Sequence, residues 1–447
     1  MAEGASVSKA TQDPDRRQLT RAVIASAVGT SIEWYDFFLY GFAATTIFAQ
    51  LFFPEQDETS GLLLSLATYF GGFAARPIGA AIFGHYGDRI GRKATLIITL
   101  LTMGIATTLV GLVPTYAQIG IWGGVLLTIL RLLQGIAVGG EWGGSVLLST
   151  EWGKSRGGLR GFLGSWPQFG VPVGLVLGYS ALAVFEPMHP YWGWRIPFLL
   201  SIVMVAIGLW IRLGILETPV FSKLLERNQV ERVPVKEVIV RNWREIILSA
   251  LLRTGQQAPF YIFTVFILSY ATTELDIPRS QVNTYVIVGA LVSMVTVPFW
   301  GWMSDKIGRR RIYSIGALVM LAWSFPYFML LDTKVPALVF LAIVLAWPIH
   351  DMQYGPQATF IAESFTGRLR YSGASLGYQL ASVTAGGPAP LIAVYLMSQF
   401  GTSMAIGAYM AVCALISFVA ARMLKDRSHV DYAVEYDEES TSKQPAG

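Results

Sequence analysis

Seven ionisable side chains, Glu33, Asp36, Arg76, Arg131, Glu141, Arg253 and Asp351, stand inside stretches that are otherwise almost wholly apolar. In hydrocarbon each costs about 2.5–3.5 kcal/mol, on the order of 20 kcal/mol together, against a net fold stability of about 5–15 kcal/mol. They have to pair, or line a water-filled cavity. A carboxylate in such a place can exchange a proton, because desolvation favours its neutral form while a nearby guanidinium favours the charged one. A buried guanidinium can in turn hold a carboxylate. Glu33 and Asp36 are three residues apart and share a helix face, as do Arg131 and Gln134. The pattern predicts Asp36 beside Arg131 as a proton-exchanging pair, with Glu33 as the rival proton carrier and a static ion pair as the alternative. Arg76 precedes Pro77, which lacks a backbone donor and tends to kink a helix. It can contact an anion, or neutralise Glu33 or Glu141. Arg253 opens the polar run Arg253-Thr-Gly-Gln256-Gln257-Ala-Pro259 and can hold an anion or pair with Asp351. Gln257, Gln353, Gln357, Tyr378 and Gln379 can hydrogen-bond hydroxyls or a carbonyl, or simply link helices. Tyr40, with Trp34, can wall a ring-shaped ligand or serve as packing.

The elements that must position these groups are long and apolar. Hydrophobic residues make up 53% of the 447 and charged residues 14%, where soluble domains carry roughly a quarter charged. Apolar stretches near 21–50, 60–83, 94–113, 117–147, 160–184, 194–214, 244–272, 282–303, 311–331, 335–361, 372–399 and 403–424 each reach the roughly 20 residues that span a bilayer as helix. Twelve spans place both termini on one side. Putting the tails and even-numbered connections in the cytoplasm assigns 27 of the 33 Lys and Arg there, as the positive-inside rule requires. The reading is an all-α membrane protein. Its expected parts are a cytoplasmic tail (1–20), a six-helix bundle (21–214), a cytoplasmic linker (215–243), a second six-helix bundle (244–424) and a disordered acidic tail (425–447). The net charge of +4 is dealt out loop by loop, which gives no nucleic-acid patch. Cys413 is the only cysteine, so no intramolecular disulfide forms.

One loop occurs twice. Gly84-His-Tyr-Gly-Asp88-Arg89-Ile-Gly91-Arg92-Lys93 and Gly301-Trp-Met-Ser-Asp305-Lys-Ile-Gly308-Arg309-Arg310 lie 217 residues apart, after the second and eighth spans. A repeated loop in matching positions marks an internal duplication. Twelve spans with this doubled motif resemble the major facilitator superfamily. Within it, Glu33-Trp-Tyr-Asp36-Phe37, Phe73-Ala-Ala-Arg76-Pro77, Arg131-Leu-Leu-Gln134 through Gly139-Gly140-Glu141-Trp142-Gly143-Gly144, and Gly193-Trp-Arg195-Ile-Pro-Phe198 resemble the metabolite:proton symporter family. His350-Asp351-Met-Gln353-Tyr354 and Gly377-Tyr378-Gln379 are most similar to its shikimate-type branch.

The resemblance implies two pseudo-symmetric bundles, alternating access, and a place in a bacterial cytoplasmic membrane. It implies proton-coupled import of a small organic acid, shikimate-like or aromatic, by one chain acting as a monomer, with the proton as coupling ion and no other cofactor. Oxoglutarate, citrate, proline and betaine are the other cargoes of such families, and proton-coupled export is a weaker reading. The doubled loop implies a cytoplasmic gate of Gly84, Asp88, Arg89, Gly91, Arg92, Asp305, Gly308 and Arg309 with the partners Glu141, Glu151, Glu217, Glu363 and Arg370. No Walker loop, zinc-protease motif or nucleophile elbow is present, so ATP-driven pumping and membrane hydrolysis find no support. The short acidic tail has no heptads, which speaks against an osmosensing carrier.

Overall fold

A computed structural model describes residues 4–56, 58–151, 159–189, 191–214, 216–218, 222 and 234–428. Backbone polar groups in hydrocarbon must be satisfied within the segment that carries them, so apolar runs of this length form helices. Among the described residues there are twelve long rods. The first six are α1 (Gly4–Thr46), α2 (Glu58–Ile90), α3 (Arg92–Val110), α4 (Trp122–Glu151), α5 (Arg160–Phe185) and α6 (Arg195–Leu213). The second six begin with α7 (Pro234–Tyr261, continued by a π-turn at Ile262–Phe266 into Ile267–Thr273), α8 (Arg279–Ile307) and α9 (Arg309–Leu331). They end with α10 (Pro336–Ala362), α11 (Arg370–Ala381, continued by a π-turn at Ser382–Gly386 into Ala389–Phe400) and α12 (Met404–Met423). Among the described residues, nine of the rods are long and apolar enough to cross a bilayer on composition alone. The other three, α1, α2 and α7, carry Glu33, Asp36, Arg76 and Arg253.

The two halves repeat one packing scheme. α1 lies on α5 as α7 lies on α11, α2 on α4 as α8 on α10, and α3 on α6 as α9 on α12. The halves meet through α2 against α11 and, equivalently, α5 against α8. The doubled loop reduces to one residue between consecutive helices. Gly91 (φ 115°) joins α2 to α3 and Gly308 (φ 104°) joins α8 to α9. A residue with a Cβ is strained at such angles, which is why both copies place glycine there.

Several expected boundaries shift. The segment read as an N-terminal tail is helical from Gly4, and the last part of the expected linker belongs to α7, bent at Asn242. Linker residues 223–233 and tail residues 429–447 lie outside the described residues. Residues 425–428 are not loose. The Asp426 carboxylate accepts from the Arg310 backbone N–H at 3.4 Å, Arg427 donates to the Ser364 carbonyl at 2.8 Å, and Arg160 donates to the Ser428 carbonyl. Hydrogen bonds from Ser428 and Arg310 and the nearby Arg309 hold the Asp426 carboxyl below its ordinary range, against the upward push of its partial burial.

Candidate functional site

A small cavity lies among α1, α2, α3 and α4, lined by Glu33, Asp36, Phe37, Gly72, Arg76, Met103, Arg131, Gln134, Gly135 and Val138. It has room for about one water. Close contact of α2 with α4 brings both guanidiniums to it. A Cβ on Gly139 would stand 2.1 Å from the Arg76 carbonyl oxygen, so no side chain fits between the two backbones.

Asp36 and Arg131 meet here but do not form the expected ion pair. Asp36 accepts from Thr107 Oγ1 at 2.8 Å and from Ser201 Oγ at 2.7 Å. Arg131 donates to Gln134 Oε1 at 3.3 Å, and Gln134 Nε2 donates to Thr107 Oγ1 at 2.7 Å. Two neutral side chains therefore bridge acid and base. Thr107 Oγ1 also lies 3.0 Å from the Met103 carbonyl, a second acceptor for its single proton. Aromatic faces surround both cations. The Arg131 guanidinium carbon is 4.3 Å from the Tyr40 ring centre and 5.0 Å from that of Tyr69, and the Arg76 carbon is 4.7 Å from Phe73 and 4.8 Å from Phe37. Such contacts offer about 2 kcal/mol to a desolvated cation, less than the several kcal/mol its burial costs. Among the described residues neither guanidinium has a carboxylate within ion-pair distance. Glu33 stands on the same wall with Oε2 unpartnered.

The second half adds a facing wall, where Arg253, Gln256, Gln257, Phe260, Tyr261 and Tyr354 surround a tighter void together with Trp34 of α1. Arg253 donates to the Tyr378 carbonyl at 2.6 Å and to Ser382 Oγ at 3.0 Å. Its guanidinium carbon lies 3.2 Å from the Tyr378 ring centre, and that ring stacks at 3.6 Å on Trp142 of the first half. Asp351 is not its partner. Asp351 is engaged by His350 Nδ1 at 2.9 Å and by Thr296 Oγ1 at 2.5 Å. Gln257 donates to Ser382 Oγ at 3.3 Å, and Gln379 links Ser382 to the Val138 carbonyl across the halves. Gln353 and Gln357 turn away from the cavity toward α9, the first packed on Gly316 and the second donating to Tyr313 Oη at 3.0 Å. Tyr40 spends its hydroxyl on Thr68 at 2.8 Å. Aromatic contacts between halves close the wall, with Phe73 and Tyr261 at 5.3 Å and Trp34 and Phe260 at 5.9 Å.

Both copies of the doubled loop cross between halves, in equivalent ways. Asp88 accepts from the backbone N–H groups of Tyr371 (3.3 Å) and Ser372 (2.9 Å) and from Ser372 Oγ (2.8 Å), at the N-terminus of α11. Asp305 accepts from the N–H groups of Gly161 and Phe162, both at 2.8 Å, at the N-terminus of α5. A carboxylate there satisfies orphan donors and complements the helix dipole. Each aspartate also pairs with the arginine four residues on, Arg92 at 3.3 Å and Arg309 at 2.6 Å. Glu151 then lies 3.7 Å from both Arg92 and Arg370, and Glu363 lies 3.5 Å from Arg309 and 3.4 Å from Arg160. Gly84 packs on Ser372, where a Cβ would come within 2.9 Å of its Cα.

Three expected members of this network stand elsewhere. Glu141 pairs with Arg212 of α6 and accepts from Thr99 at 2.8 Å, wholly within the first half. Glu217 caps α3 by accepting from the Lys93 N–H at 3.2 Å, also within that half. Arg89 is exposed. Sequence reasoning missed Arg160, whose spacing from Glu151 loosely echoes that of Arg370 from Glu363. It also missed Arg212, which resembled a flanking positive charge and is buried. Thr107 and Ser201 carried no signal, since hydroxyls are common in such helices, whereas Gln256 stood in the polar run of α7 without being singled out from it. With Glu141 cancelled by Arg212, the centre holds Arg76, Arg131 and Arg253 against Glu33, Asp36 and Asp351 and is formally neutral.

Comparison with known proteins accords with this geometry. The family described as "Sugar (and other) transporter" matches residues 22–233, and the family described as "Major Facilitator Superfamily" matches 250–444. The chain is 40% identical over 416 residues to the shikimate transporter of Escherichia coli, covering 91% of this chain and 94% of the relative. It is 37% identical over 419 residues to the inner membrane metabolite transport protein YhjE of the same organism, covering 92% and 94%. The proline/betaine transporter of Salmonella typhimurium is 31% identical over 430 residues, covering 93% and 85%. Among solved structures, the proton:xylose symporter XylE bound to 6-bromo-6-deoxy-D-glucose superposes with a TM-score of 0.72 at 16% identity, covering 92% of this chain and 95% of that one, a likeness of fold. A multi-pass membrane transporter and not an enzyme, the chain belongs to the metabolite:proton symporter family of the major facilitator superfamily.

Proposed function

We propose that the protein imports a small organic acid, a monocarboxylate of the shikimate or aromatic type, together with a proton, by alternating access across a bacterial cytoplasmic membrane. The observation that carries this reading is the pair of buried guanidiniums, Arg76 and Arg131, on one cavity, neither with a carboxylate within ion-pair distance among the described residues. Both offer charge-assisted hydrogen bonds to a substrate carboxylate, and Arg253 faces them from the second half. Drawing Arg131 toward substrate pulls on Gln134 and so on Thr107. Thr107 can then turn its hydroxyl to donate its hydrogen bond to the Met103 carbonyl and accept a hydrogen bond from a protonated Asp36. Asp36 thereby becomes the proton carrier through a two-residue relay, with Glu33 beside it. The neutral centre supports a one-to-one ratio, since one anion and one proton leave its charge unchanged.

The doubled loop serves as the cytoplasmic lock of this cycle, closed while the site faces outward. Its contacts, Asp88 on α11 and Asp305 on α5, must break for the halves to part at that end. The proton is the coupling ion, no other cofactor takes part, and a single chain suffices. The 40% identity to a shikimate transporter supports a cyclic hydroxy acid as cargo.

The test is uptake of radiolabelled shikimate, 4-hydroxybenzoate, oxoglutarate and proline betaine into vesicles with and without an inward proton gradient, for the wild type and Asp36→Asn. Gradient-driven uptake of one acid is expected, abolished in the variant while counterflow exchange persists. Uptake indifferent to the gradient would sink the symport reading.

A further inference from the structure

A second cluster of buried polar groups lies beside the cavity, and the mechanism above leaves it unused. His350 on α10 lies 2.9 Å from Asp351 through Nδ1 and 2.6 Å from Gln256 Nε2 through its other ring nitrogen. Asp351 is completed by Thr296 of α8, and the ring stacks on Phe260 of α7 at 5.2 Å and lies 5.1 Å from Tyr354. With the Gln256 amide nitrogen donating, Nε2 has to be an acceptor, so Nδ1 carries the hydrogen and donates it to Asp351. The ring is neutral in this arrangement, with its acceptor nitrogen aimed at Gln256, a residue of the cavity wall. Gln256 Oε1 is buried and has no hydrogen-bond partner. Gln256 itself lines the void with Arg253 and Gln257.

Resting on the symport reading above, we propose that His350 is a second proton-binding site of the transport cycle, and that its protonation turns the Gln256 amide so that the cavity wall gains a hydrogen-bond donor for substrate. A proton on Nε2 makes both ring nitrogens donors. The amide N–H would then face an N–H, which only a half-turn of the amide relieves. After that turn Oε1 accepts from the ring, and the NH2 group takes the place that the unpartnered oxygen holds now. A carboxylate or hydroxyl oxygen of the cargo meets a donor where it would have met an acceptor, so proton and acid favour each other's binding.

The surroundings suit this role. Asp351 and Tyr354 face the ring from its own helix, Arg253 and Tyr261 stand on α7, Tyr378 on α11, and Glu33 lies across the interface on α1. α5, α8 and α9 carry their charged residues only in their terminal turns, and Glu141 of α4 is engaged by Arg212. The imidazolium would be balanced by Asp351 alone. One proton offsets the one cargo anion in the formally neutral centre, so His350 and Asp36 hold the same proton at different stages of the cycle and the one-to-one ratio is unchanged.

The experiment uses the full chain in lipid nanodiscs with 15N-labelled histidine, after His85→Asn, His189→Asn and His429→Asn leave His350 as the only signal. Spectra are taken from about pH 5 to 8, the range in which histidine changes charge, with and without shikimate, 4-hydroxybenzoate or oxoglutarate. Expected is the Nδ1–H tautomer at high pH and two protonated nitrogens at low pH, with the transported acid tightening proton binding by about fivefold or more, a typical size for coupled sites. In vesicles, Gln256→Met should flatten the pH dependence of KM seen in the wild type more than it alters kcat. A single neutral tautomer throughout, a titration that no transported acid moves, or an unchanged KM profile in Gln256→Met overturns the proposal. A titrating His350 in a chain that carries none of the acids would strike at the import reading instead.

Discussion

Replacing Asp88 by Asn keeps the shape of the side chain but removes its charge and turns one oxygen into a donor. The N–H and hydroxyl of Ser372 both use Oδ2 and the Tyr371 N–H uses Oδ1, so either amide orientation leaves at least one buried donor without an acceptor. Losing one charge-assisted bond costs about 1.5–3 kcal/mol. Because these bonds run from α2 to α11, they exist only while the halves are closed at this end. Their loss should shift the closed-to-open ratio by about 30-fold for a change of about 2 kcal/mol. The shift can be read by spin-label distances between Tyr86→Cys on α2 and Ile307→Cys on α8, both exposed positions, in a Cys413→Ala background that removes the one native thiol. Glu217→Gln is the comparison, since its bond to the Lys93 N–H stays within the first half. Asp88→Asn should populate the longer distance and Glu217→Gln should not. Equal effects from the two variants, or none from Asp88→Asn, would refute the assignment of the lock to the cross-half bonds.

The remaining expectations follow from single contacts. Gly139→Ala places a methyl against the Arg76 carbonyl and should lower stability by about 1–3 kcal/mol in thermal unfolding, whereas Gly71→Ala, whose Cβ would meet Leu132 at an ordinary 3.6 Å, should be tolerated. Arg212→Met should cost about 3–5 kcal/mol by stranding Glu141, and adding Glu141→Gln should restore much of it without altering the lock distances. Asp426 has a lowered folded-state pKa, so its contribution is present above the ordinary aspartate range and is lost as pH falls through the lowered value. Residues 425–428 should therefore be protected from hydrogen exchange near neutrality and released only at a pH below the ordinary aspartate range. Asp426→Asn should lose that protection at neutral pH, and full retention would refute its role as the anchor.

Residues that break a strong rule were legible without coordinates. Charges in apolar spans have few physical excuses, so Glu33, Asp36, Arg76, Arg131 and Arg253 could be named from type and depth alone. The two glycine-containing loops could be paired because duplication preserves spacing. Pairing among the charges could not be read. Asp36 turned to Thr107 and Ser201 rather than to Arg131, and Asp351 to His350 and Thr296 rather than to Arg253, because neutral hydrogen-bonding partners on α3, α6, α8 and α10 itself happened to lie nearer. Gln353 and Gln357 have the right chemistry for a cargo, yet the rotation of α10 aims them at α9.

The sequence by itself determined that the chain crosses a membrane twelve times, that it is built from two related halves, and which side chains are too costly to be there without a purpose. Those are consequences of transfer energies and local geometry, which depend on residue type and spacing. Which donor meets which acceptor, whether Glu141 belongs to the lock or to the inside of a bundle, and that Gln256 stands between a histidine and a cavity were decided only by the tertiary structure. A hydrogen bond is sensitive to differences of a few tenths of an ångström, and the angle and rotation of one helix on another are set by the summed packing of many side chains rather than by any motif.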